Sequence, residues 1–114
     1  MHLRFRSNQR NETVDLARLE AVRVANSAAL TSVKSESAGL KERISDLTFS
    51  LAIALEDSDE FYVDREPQAE KELAFLERQL LEAEKRSATL DRQLRILIEV
   101  DSLLRDGPGC AAEA

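Results

Sequence analysis

Residues 56–66 read EDSDEFYVDRE and are followed by Pro67, so six carboxylates and Arg65 surround the only Phe-Tyr pair in the chain, Phe61 and Tyr62. No other stretch gathers so many groups able to ligate a hard cation or exchange protons. Read as a calcium loop from Asp57, the segment matches at Asp59 but then fails. Its fifth position is Phe61, its obligatory glycine is Tyr62, and its twelfth residue is Gln68 where a bidentate glutamate is required. The segment therefore reads as a solvated turn with no metal residue assigned, a carboxylate-only magnesium or calcium site being the minor alternative. Asp and Ser side chains bond local backbone groups in such turns, Asp64 can cap a following helix, and Glu66 and Pro67 suit its first turn. Phe61, Tyr62 and Val63 are expected to fold back over the end of the helices; otherwise Phe61 and Tyr62 form a loop tip offered to a partner.

Other chemistry has little to work with. The single histidine, His2, and the single cysteine, Cys110, sit at opposite ends of the sequence. No Cys/His spacing suits zinc, and a di-metal helix-bundle core needs a Glu-x-x-His motif that His2 cannot supply. General acid–base work requires groups held in a pocket, which two helices alone do not make. No glycine-rich phosphate loop occurs. The expectation is a protein that is not an enzyme, with no catalytic, cofactor-binding or metal residues.

The positioning elements follow from composition. Ala, Glu, Lys, Leu and Arg make up 62 of the 114 residues, with three glycines, two prolines and no tryptophan, a usage typical of long helices and coiled coils. A net charge of -6 argues against duplex nucleic acid, whose binding requires clustered cations. No apolar run approaches the roughly 20 residues that span a bilayer. The start, MHLRFRSNQR, lacks the apolar core of a secretory signal, so a cytoplasmic location is expected. Arg4 and Arg6 interleave with Leu3 and Phe5, which leaves open a membrane or nucleic-acid contact through residues 1–6, although three arginines including Arg10 contribute too little for firm anchoring.

Along the chain, residues 1–10 read as a flexible basic terminus, helix one as about 11–56, an acidic turn as about 57–65, helix two as about 66–106, and 107–114 as a disordered tail after the Gly107-Pro108-Gly109 stop signal. Two a/d seams lie on these helices. The first holds Leu16, Leu19, Arg23, Asn26, Leu30, Val33, Ser37, Leu40, Ile44, Leu47, Leu51 and Ala54; the second runs Leu73, Leu76, Leu80, Ala83, Ser87, Leu90, Leu94, Leu97, Asp101 and Leu104.

Pairing the seams antiparallel with residue numbers adding to 127 sets Leu51 on Leu76, Leu47 on Leu80, and Asn26 on Asp101. The last pair reads as a register key, because a heptad slide strands both polar groups against leucines. The fold class is thus all-α, a long antiparallel coiled-coil-like helical hairpin. An alternative breaks helix one near Gly39, where SESAG has poor helix propensity, and folds residues 11–34 back as a three-helix bundle.

Apolar residues also lie outside the seams: Leu55 and Ile98, and the seven singled out for a partner interface, Phe49, Ile53, Phe75, Leu81, Ile96, Val100 and Leu103, of which Ile96, Val100 and Leu103 follow i, i+4, i+7. Each large side chain left wet forgoes roughly 1.5–3 kcal/mol of available burial, so this second face predicts a cover. A second copy, giving a homodimeric four-helix bundle, or another helical protein would supply it. The function class is a structural or protein-interaction module acting as adaptor, scaffold or assembly subunit, the alternative being a small regulatory or anchoring protein that uses its basic start.

Overall fold

A computed structural model describes the backbone of residues 2–61 and 67–113, and side-chain surroundings for residues 8–56 and 67–106. Two long helices, α1 (His2–Phe61) and α2 (Pro67–Glu113), pack against each other antiparallel as a hairpin. Every described element is helical, in keeping with the all-α expectation. Of the acidic segment, residues 56–61 belong to α1 and Glu56 is exposed, whereas residues 62–66, Tyr62 among them, lie outside the described residues.

Pro67 is the first residue of α2, the position where a missing N–H removes no hydrogen bond and the fixed φ suits the helix. Glu70 follows in the first turn, favourably placed at the positive end of the helix dipole. The helices exceed their expected bounds at the outer ends, and α1 also runs on to Phe61 through the first half of the expected acidic turn, since no glycine or proline stops it there. α1 starts at His2, because no glycine or proline precedes Gly39 to stop it. α2 continues to Glu113 through Gly107-Pro108-Gly109, which local propensity does not explain.

Contacts divide the chain into two compact units, each pairing a piece of α1 with a piece of α2: Met1–Val33 with Leu94–Ala114, and Lys34–Gln93. In the second unit the seam positions Ser37, Leu40, Ile44, Leu47, Leu51 and Ala54 of α1 are buried or half-buried, as are Leu73, Leu76, Leu80, Ala83, Ser87 and Leu90 of α2. Leu90 is the most enclosed side chain, 1% exposed. In the first unit the same holds for Arg23, Asn26, Leu30 and Val33 and for Leu94, Leu97, Asp101 and Leu104. Two expected seam members differ: Leu16 and Leu19 are exposed. A heptad pattern identifies an apolar stripe but cannot provide the surface that covers it.

Gly39 does not break α1, so residues 11–34 do not fold back as a third helix. The flanking seam residues Ser37 and Leu40 are withdrawn from solvent on α2's side of the helix, and their burial outweighs a local propensity deficit of about 1 kcal/mol. A Cβ added at Gly39 meets nothing within 4 Å.

Side-chain bonds across the helices do not join the seam pairs themselves. Across the second unit Arg86 bonds Glu36 and Arg43 bonds Gln79; across the first, Asn26 bonds Leu97. These pairs add to 122 or 123, four or five short of 127, a difference that side chains reaching along the helix span. The withdrawn seam positions run from Arg23 to Ala54 and from Leu73 to Leu104, and the facing ends of the two ranges add to 127, as do Val33 with Leu94 and Lys34 with Gln93 at the limits of the units.

Two measurements follow. Gly39→Ala should stabilise the protein by about 0.5–1 kcal/mol in urea unfolding, since alanine is the better helix former and has free space. Asn26→Ala should cost about 0.5–1.5 kcal/mol, the net worth of one hydrogen bond.

Candidate interaction surface

In the first unit, Asn26 is 7% exposed, and its Nδ2 donates to the Leu97 carbonyl at 3.0 Å. This satisfies an amide that would otherwise be buried without a partner. Asp101 lies half-buried and forms an ion pair with Arg105, Nε to Oδ2 3.0 Å, one helical turn on, one of the i,i+4 arrangements that favour an isolated helix. Arg23 is bonded to Glu20 at 2.6 and 2.9 Å. Its guanidinium is held protonated beyond its usual range first by that hydrogen bond and then by attraction to Glu20, with Asp101 adding a smaller attraction across the helices. Asp101 thus has Arg105 and Arg23 around it, while Asn26 reaches backbone one turn earlier.

In the second unit the cross-helix ties are fully polar. Arg86 Nε and Nη2 donate to Glu36 Oε2 and Oε1 at 2.7 and 3.0 Å, a bidentate pair with both side chains 47% exposed. Arg43 Nη2 donates to Gln79 Oε1 at 2.7 Å. Sequence spacing alone suggests Arg86 for Glu82, four residues back, whereas the arginine crosses to the other helix. Glu36 and Arg86 precede the seam residues Ser37 and Ser87, so both flank the interface on the same side. Spacing along one helix does not reveal this cross-helix choice.

The Glu36 carboxyl lies below the usual carboxylate range, chiefly because Arg86 donates to its charged form; partial desolvation opposes this and charge attraction adds to it. Glu20 is lowered in the same way by Arg23. A carboxyl with a depressed folded-state pKa contributes stability that is present above its unfolded pKa and lost as pH falls through the folded value.

No described group of His, Cys, Asp and Glu is arranged to hold a metal ion. The clefts are shallow. One in the second unit is lined by Gln68, Lys71, Glu72, Phe75 and Leu76, and another by Leu40, Arg43, Gln79, Glu82 and Ala83. Neither brings together a nucleophile and a base.

What the surface does offer is apolar side chains. Of the seven residues singled out for a partner interface, Phe49, Ile53, Phe75, Leu81, Ile96 and Leu103 are exposed, Phe49 and Leu103 to 68%. Val100 is half-buried. Leu55 and Ile98, which also lie outside the seams, are exposed too. The sequence reading passed over Val14, Val22 and Val24, which are exposed as well; Val22 and Val24 adjoin the seam position Arg23, and a count outward from the seam would have found them. Phe61 closes α1, but its surroundings, like those of Tyr62, lie outside the described residues. Among those residues no helix is long and apolar enough to cross a membrane. No family model, curated protein or solved structure matches the chain.

The Glu36–Arg86 pair gives a pH test. In a double-mutant cycle with Glu36→Gln and Arg86→Met, the coupling measured by urea unfolding should be constant at neutral pH. It should vanish as pH drops below about 4, where glutamate protonates.

Proposed function

We propose that this chain is a non-enzymatic protein-interaction module: a helical hairpin that associates with itself and serves as an adaptor, scaffold or assembly subunit. One observation carries the reading. Among the described residues, only Leu73, Ala83 and Leu90 of the apolar seam are buried and the rest of it between Arg23 and Leu104 is half-buried, while thirteen large hydrophobic side chains stand exposed. Scattered apolar residues are ordinary on a protein surface, but so many beside so narrow a seam mark a surface built to be covered. A two-helix seam buries one stripe per helix, and four helices bury two, so a homodimeric four-helix bundle meets the need with no new element.

Another helical protein is the second occupant the same surface would accept. The acidic balance of -6 disfavours duplex nucleic acid as a partner. A cytoplasmic setting belongs to this reading, since a chain with one cysteine forms no internal disulfide that would need an oxidising compartment.

Light scattering at micromolar concentration should report a mass above the 12.8 kDa of one chain. A stable, fully helical monomer with unchanged mass up to about 100 μM, a concentration at which even weak interfaces assemble, would reject self-association.

A further inference from the structure

The two units differ in what they expose. Formal charges in Met1–Val33 with Leu94–Ala114 are seven Arg against seven Asp and Glu, whereas Lys34–Gln93 holds nine Lys and Arg against fifteen Asp and Glu. The first unit is therefore neutral, and the second carries the whole net charge of -6. Within the first unit, three ion pairs already neutralise much of the surface: Asp15–Arg18, Glu20–Arg23 and Asp101–Arg105.

The flank of the seam changes character as well. In the second unit the positions just before the first seam residue of a heptad are all polar, Glu36, Arg43 and Ser50 on α1 and Glu72, Gln79, Arg86 and Gln93 on α2, and four of them are bonded across the helices. In the first unit the same positions hold Val22 and Ala29 on α1, with Asp15 beyond them, and Val100 on α2. Beside them on the same side lie Leu19 on α1 and Ile96 and Leu103 on α2, all three exposed, as is Val22. An apolar flank thus replaces a polar, internally satisfied one.

From this partition we infer that the self-association proposed above, on which this inference rests, is seated on the first unit, with a second copy of the chain laid over Leu19, Val22, Ile96, Val100 and Leu103. A two-fold interface sets the same patch against itself, and like charges brought together are repelled. A neutral patch with its charges paired locally meets that condition, whereas two acidic second units do not. A strongly charged foreign partner would find no complementary excess on the first unit. The second unit stays uncovered in the dimer.

Sedimentation equilibrium on the full chain tests this. Ile96→Glu and Leu103→Glu should each raise the dimer dissociation constant by about tenfold or more, and Phe49→Glu and Phe75→Glu by less than about threefold. Circular dichroism identifies any variant that fails to fold; Val22→Gln, a milder change on the same patch, keeps the test open and should weaken the dimer in the same sense. Retention of the dimer in both first-unit glutamate variants, or its loss in Phe75→Glu with helicity intact, overturns the placement while leaving self-association standing. A wild-type chain that is monomeric throughout overturns both.

Discussion

Burial of one leucine-rich stripe against another is the constraint from which the rest of this molecule follows. Each helix presents residues at alternating steps of three and four, and in both units these are the positions withdrawn from solvent. A lone helix has no use for such a stripe, and isolated helices gain little from propensity alone. The stripe also decides local questions. Gly39 stays helical because Ser37 and Leu40 beside it are drawn against α2, and Pro67 starts α2 where its missing donor removes no bond.

Polar groups in and beside the seam then locate the two helices along each other. Leucine-on-leucine contact is nearly indifferent to a slide of one turn, so the apolar stripe by itself leaves the register loose. Asn26 is not indifferent, since its buried amide requires an acceptor and finds the Leu97 carbonyl at 3.0 Å. The Glu36–Arg86 fork and the Arg43–Gln79 bond act in the same direction on the second unit. Exposed pairs of this kind contribute little to stability but add geometric discrimination.

The same economy exposes the molecule's other faces. Two helices in contact cover one stripe each, and most of the large apolar side chains outside it, among the described residues, remain wet. That arithmetic, and no pocket or reactive group, is what supports reading the chain as a module that acts by being covered. The division of charge sharpens the reading: an acidic unit tied across by polar bonds adjoins in sequence a neutral one flanked by valine, isoleucine and leucine. Hydrophobic burial is non-directional, so charge, by making one patch tolerable against its own copy, does the choosing.

The sequence by itself determined the all-α class, the two seams from Arg23 to Ala54 and from Leu73 to Leu104, the start of α2 beside Pro67, and the apolar residues beyond the seams. Periodicity and breaker placement are local properties of a chain, and they sufficed for these. The tertiary structure decided the continuity of α1 through Gly39, the exposure of Leu16 and Leu19, the choice of Glu36 by Arg86, and the hydrogen bond that gives Asn26 the Leu97 carbonyl in place of Asp101. Each of these depends on what lies opposite a residue, and a repeat that looks the same after every heptad does not reveal it.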